Sequence, residues 1–88
     1  MRILFSSDFE KRLKKITKSN NKLIDQIENK IILYESNVNH PSLRLHRLTG
    51  KQKDFWSISV DKKIRIIVKL VDDVAYFVDI GTHDEVYK

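Results

Sequence analysis

The sequence predicts an α+β domain, and three observations carry that expectation. Apolar residues between positions 9 and 34 recur at helical spacing. Those between 43 and 78 recur at every second position. The period changes at the chain's one proline, Pro41. Eighty-eight residues suffice for a single domain, 1–88, and exclude a two-domain enzyme or a large barrel. The expected order is a short N-terminal strand, a two-helix hairpin and a four-stranded antiparallel meander, with the helices on one sheet face.

Residues 2–5 read as the short strand. Ser6, Ser7 and Asp8 offer N-cap oxygens, and Asp8 and Glu10 suit a helix start. Phe9, Leu13 and Ile16 form the stripe of the first helix, with Lys11, Arg12, Lys14, Lys15 and Lys18 on its other face. Ser19-Asn20-Asn21 breaks the pattern and can cap a second helix. There Leu23, Ile27, Ile31 and Tyr34 make a stripe that Ile24 and Ile32 widen. Asn37 to Pro41 is a loop.

Beyond Pro41, Leu43 and Leu45 alternate with Arg44 and His46. Trp56, Ile58 and Val60 alternate with Phe55, Ser57 and Ser59. Ile64, Ile66, Val68 and Leu70 alternate with Arg65, Ile67 and Lys69, and Val74, Tyr76 and Val78 with Ala75, Phe77 and Asp79. Thr49-Gly50, Asp61-Lys62-Lys63 and Asp72-Asp73 suit hairpin turns. Trp56 joins the core series, while Phe55 packs at a rim or stacks on a base. One face carries the aliphatics and meets the helices. The other collects Arg44, His46, Ser57, Ser59, Arg65, Lys69 and Asp79. Two short helices cover only one face, so the second is expected to be open, polar and basic, able to hold a phosphate backbone.

The charge distribution agrees. The net charge is +5, and residues 42–69 hold eight basic and two acidic side chains, while residues 70–88 hold one and five. A polyanion is the first partner to consider, with a merely solvated surface as the alternative. With no cysteine, disulfides, thiolate metal sites and a Cys nucleophile drop out, which is compatible with a cytoplasmic location. No apolar run spans a bilayer, and the stretch Met1 to Phe5 is too short for a signal peptide. Two glycines cannot make a Gly-rich phosphate loop.

Three histidines remain for chemistry. His40, before Pro41, reads as plain surface. His46 lies between Arg44 and Arg47, and His83 within Gly81-Thr82-His83-Asp84-Glu85-Val86-Tyr87. Two histidines with Arg65 and Tyr87 can supply acid–base chemistry and charge stabilisation on a phosphodiester. RNA brings its own nucleophile, the 2′-OH, so no metal or other cofactor is expected. For Arg65 the plain alternative is a salt bridge with Asp61 or Asp79. Lys51 and Lys53 beside Gly50 are natural phosphate contacts or a solvated loop.

Four segments make the chain resemble the RelE/ParE superfamily of toxins from type II toxin–antitoxin pairs. They are Leu45-His46-Arg47-Leu48-Thr49-Gly50, Phe55-Trp56-Ser57-Ile58, Ile64-Arg65-Ile66-Ile67-Val68 and the terminal Gly81 to Tyr87. Their order and spacing span nearly the whole chain, and the pattern is most similar to the YafQ type, which carries one His in an HxLxG segment and another in a terminal GxH. The resemblance implies a microbial RNase-like fold and a ribosome-dependent mRNA endonuclease held by a cognate antitoxin in a hetero-oligomer. It implies that His46 is a general base or phosphate contact, that Arg65 stabilises the pentacoordinate phosphate, that His83 is acid or base, and that Tyr87 orients the base or phosphate. Arg44, Arg47, Lys51, Lys53 and Lys69 would contact RNA. Two positions depart from the pattern. Ser59 stands where YafQ-type toxins carry a further His, and Asp79 stands near an Arg that some members carry before GxH. A ParE-type inhibitor of DNA gyrase, or a nucleic-acid-binding homologue without catalysis, are the competing readings.

Overall fold

One strand and two helices open the chain in the computed structural model, which describes residues 2–48 and 54–86. Strand β1 (Arg2–Phe5) leads into α1 (Ser7–Thr17), and α2 (Asn21–Ser36) follows. Ser6 and Asn20 are the N-caps: Ser6 Oγ accepts from the Phe9 amide at 3.0 Å, and Asn20 Oδ1 from the Leu23 amide at 3.1 Å. Asp8 and Glu10 in the first turn of α1, with Lys14 and Lys15 in the last, complement its dipole.

Strands β2 (His46–Arg47), β3 (Phe55–Ser59), β4 (Ile64–Val71) and β5 (Val74–Thr82) form the expected antiparallel meander. The sheet order is β1-β5-β4-β3-β2, so the N-terminal strand lies beside the last one, parallel to it. Alternation predicts strands but not partners, and this pairing had no sequence signature. Both helices pack on one face, where Phe9, Leu23, Ile27 and Tyr34 meet Ile58, Ile66, Val68, Ala75, Phe77 and Ile80. Phe77 is the hub. Its ring meets those of Phe5, Phe9 and Tyr34 edge-on at centroid distances of 5.5, 5.9 and 5.4 Å.

The structure corrects several expectations. Residues 43–45 are not a strand. Pro41–Leu43 is a 3-10 helix, because Pro41 presets a helical first position and His40 caps it. The Ser42 amide donates to His40 Nδ1 at 3.1 Å, so His40 is a cap rather than plain surface. Arg44 ends that helix at φ 48°, in the left-handed region, and belongs to no strand. Trp56 is half-buried rather than central. Thr49 and Gly50 lie outside the described residues.

On β5 the helix-facing residues are Ala75, Phe77 and Ile80, not the Val74, Tyr76, Val78 series, because Ala75 and Phe77 pair with the core-facing Leu70 and Val68. A β-bulge explains the step from Phe77 to Ile80. Val68 pairs with Phe77 and Ile67 with Asp79, leaving Val78 as the extra residue. The Val78 carbonyl accepts instead from Ser6 Oγ at 3.0 Å, which ties the bulge to the start of α1. A last helical turn, α3 (His83–Val86), was also not foreseen. Finally, the face away from the helices is closed at its centre: Ser57, Ser59 and Ile67 are buried there. Its cations therefore stand around a closed middle rather than across an open basic plain.

Candidate functional site

Arg65 projects from β4 onto this second face, and the β3–β4 turn fixes it. Its Nη1 donates to Ser59 Oγ at 3.1 Å, to the Asp61 carbonyl at 2.6 Å and to the Ile64 carbonyl at 3.3 Å. The turn is itself fastened. Asp61 Oδ1 accepts from the Lys63 and Ile64 amides at 2.8 and 2.7 Å, and Ser59 Oγ donates to the Asp61 carbonyl at 2.9 Å. Arg65 thus meets Asp61 through its carbonyl, and Asp79 pairs with Arg12 instead, so neither carboxylate makes the salt bridge considered for Arg65. Among the described residues its hydrogen bonds run through Nη1 alone. The other edge of the guanidinium keeps the N–H pair that suits an oxyanion.

His46 is exposed on the same face, opposite Ser57, whose other neighbour is Ile67. Arg65 lies two strands across and two residues along, roughly 12 Å away backbone to backbone by ordinary sheet spacings. His46 Nδ1 stands 3.3 Å from the Arg44 carbonyl. A carbonyl only accepts, so in this contact Nδ1 carries the proton.

His83 is the first residue of α3. It follows Thr82 and stands two residues beyond Gly81, the strand partner of Arg65. Thr82 and Glu85 form a capping box: the Thr82 amide donates to Glu85 Oε1 at 2.9 Å, and the Glu85 amide to Thr82 Oγ1 at 3.4 Å. These bonds hold the Glu85 carboxyl below its ordinary 4.5, helped by the charges of Arg12 and Lys15. His83 Nδ1 lies 3.7 Å from Asp84 Oδ1, a solvent-exposed contact that adds little. His46 and Arg65 therefore share one side of the sheet, and His83 opens the turn that follows Gly81, the strand partner of Arg65.

The remaining candidates divide. Lys69 shares the face, with Nζ 5.6 Å from the centroid of the Phe55 ring. Phe55 is thus covered by a cation rather than bare. Arg47 pairs with Trp56, so alternation directs it to the helix-bearing side, away from His46. Arg44, Lys30 and Lys62 line a cavity of about 270 Å³ with Ser59 and Asp61, beside the turn that holds Arg65. Lys30 had not been singled out, because an isolated helical lysine carries no sequence signal. Tyr87, Lys51 and Lys53 lie outside the described residues. Among the described residues, no helix is long and apolar enough to cross a membrane.

Comparison with known proteins now decides the family. The family described as bacterial toxin of type II toxin-antitoxin system, YafQ, matches residues 1–88. The chain belongs to the YafQ toxin family. As a YafQ-family chain it is a toxin of the type II toxin–antitoxin class. Among solved structures it resembles YafQ from E. coli, with a TM-score of 0.83 at 22% identity over 100% of both chains. The toxin in the E. coli DinJ-YafQ complex matches at 0.81 and 23%, again over 100% of both. A YoeB/ParE toxin from Agrobacterium tumefaciens matches at 0.80 and 10%, over 94% of this chain and 99% of that one. No curated protein sequence matches.

In this YafQ-family toxin the two departing positions have structural work. Ser59 is an acceptor for Arg65 and a donor to the turn beneath it. Asp79 holds Arg12 of α1, with Nε and Oδ1 3.5 Å apart. Sequence reading missed both Arg12 and the capping box. The box was legible as Thr82-His83-Asp84-Glu85, a threonine followed three residues later by glutamate.

Proposed function

We propose that this toxin is a metal-independent, ribosome-dependent mRNA endonuclease. The observation that carries the reading is Arg65, tethered by one nitrogen, on the sheet face it shares with the exposed His46, with its strand partner Gly81 two residues before the exposed His83. One histidine of the pair His46 and His83 takes the proton of the RNA 2′-OH as that oxygen attacks the adjacent phosphorus. The other protonates the departing 5′-oxygen, leaving a 2′,3′-cyclic phosphate and a 5′-hydroxyl. Arg65 stabilises the charge that builds on the phosphoryl oxygens. Tyr87 orients the base or the phosphate. Arg44, Lys51, Lys53 and Lys69 hold the RNA backbone, and Arg47 serves the other side of the molecule.

In the cell the toxin works in the cytoplasm and is restrained by a cognate antitoxin, as the E. coli DinJ-YafQ complex suggests by its composition. The net charge of +5 favours an acidic partner. Primer extension on mRNA after induction tests the activity. Wild type should give discrete cuts on translated messages, and His83→Ala and Arg65→Ala should remove them and relieve growth arrest. If both variants stay fully toxic while DNA supercoiling falls, a gyrase inhibitor is the correct reading.

A further inference from the structure

The geometry points to Arg12 of α1 as a positioning residue for the C-terminal turn that carries His83, acting through Asp79 and Glu85. The inference rests on the functional reading above for the role of His83, and on the convergence of Arg12 and Glu85 above Gly81 for the link between them. The bulge at Val78 turns Asp79 out of the helix-bearing side. There its Oδ1 accepts from the Ile80 amide at 2.9 Å and faces Arg12 Nε at 3.5 Å. The same guanidinium reaches the space above Gly81. A β-carbon built on Gly81 would lie 3.3 Å from Arg12 Nη1, 3.0 Å from Glu85 Oε1 and 3.3 Å from Glu85 Cβ. The arginine and the glutamate of the capping box thus converge on one spot, kept open by the missing side chain.

Nη1 is buried and has no hydrogen-bond partner among the described residues. A buried donor left unpaired is costly, and the Glu85 carboxylate is the acceptor beside it. A planar fork can engage Asp79 through one nitrogen and Glu85 through another, which a lysine cannot do. Such a bridge would lock strand, helix and C-terminal turn at one side chain. His83, fixed at the first position of that turn, inherits the alignment.

The test compares Arg12→Met, Arg12→Lys and Asp79→Asn in the full chain by two readouts. The first is amide hydrogen exchange at Thr82 and Glu85, which needs no activity. The second is mRNA cleavage on translating ribosomes, separated into kcat and KM. Exchange at Thr82 should quicken about tenfold in Arg12→Met and Asp79→Asn, with Arg12→Lys intermediate. The kcat should fall on the order of 10- to 100-fold with KM little changed, as expected for a misplaced catalytic group. Unchanged exchange in both Arg12→Met and Asp79→Asn overturns the proposal. So does normal cleavage by Arg12→Met where His83→Ala is inactive. If the wild type itself cuts no mRNA, the functional reading fails and exchange alone judges the contact. Should Arg12→Met lose its fold by circular dichroism, Asp79→Asn carries the test.

Discussion

The two faces of the sheet are held by different forces. On the helix-bearing face, Phe9, Tyr34 and Phe77 are buried among aliphatic residues and touch ring to ring. Non-directional burial dominates there, and each residue contributes in proportion to the area it hides. On the other face, Ser59, Asp61 and Arg65 are joined by hydrogen bonds of fixed direction, and Thr82 and Glu85 are joined likewise at the terminal turn. Few apolar side chains share that burden. The first face makes the protein stable, and the second gives a few polar groups a defined orientation. Stability and activity should therefore respond to different substitutions.

The sharpest way to break this contrast is Phe77→Ala. Removing the hub of the ring cluster should cost about 3–5 kcal/mol in urea denaturation, enough to unfold most of a small domain. A loss below about 1 kcal/mol would show that the helix face is not the seat of stability. Arg65→Ala should behave the opposite way. Cleavage should fall roughly 100- to 1,000-fold. The unfolding free energy should drop only about 1–2 kcal/mol, for the acceptors left behind. Equal losses on both measures would erase the distinction between the faces. Ser59→Ala sharpens it further. Loss of one acceptor for Arg65 and one donor to the turn should cost about 1 kcal/mol and lower cleavage less than Arg65→Ala does.

The smallest effect is set by pH. The Glu85 carboxyl is held below 4.5 by its hydrogen bonds to Thr82, so it contributes stability that is present above 4.5 and lost as pH falls through its lower folded value. Amide exchange at Thr82, corrected for intrinsic rates, should lose protection in acid before the amides of β4 do. Glu85→Gln should flatten that dependence.

Periodicity made much of this legible. The stripe Phe9, Leu13, Ile16 and the stripe Leu23, Ile27, Ile31, Tyr34 face the sheet as their spacing requires. Arg65 falls on the face away from Ile64 and Ile66 because side chains alternate. His46 and His83 were legible through the segments around them, not through any local physical signal. Leu43 and Leu45 misled because two alternating positions cannot outweigh a proline and a capping histidine just before them. Arg12 could not be found in sequence. It is one of five cations in its segment, and its partner faces it only because of a bulge 66 residues further on at Val78.

That bulge makes the molecule sensitive to pairing register rather than to residue type at one position. The chain counts in twos along β5, and Val78 is one odd step that changes the parity of everything after it. Many side chains can occupy that step. Drawing Val78 into the ladder opposite Ile67, with no residue removed, would make the alternation continuous from Val74 to Thr82, turning Asp79 toward the helix-bearing face and swinging Ile80 out to water. Gly81 would then present its bare side to the core, and Arg65 would lose the neighbour that leaves space for the terminal turn. The placing of Asp79, Ile80 and Gly81 thus depends on an arithmetic accident of the last strand.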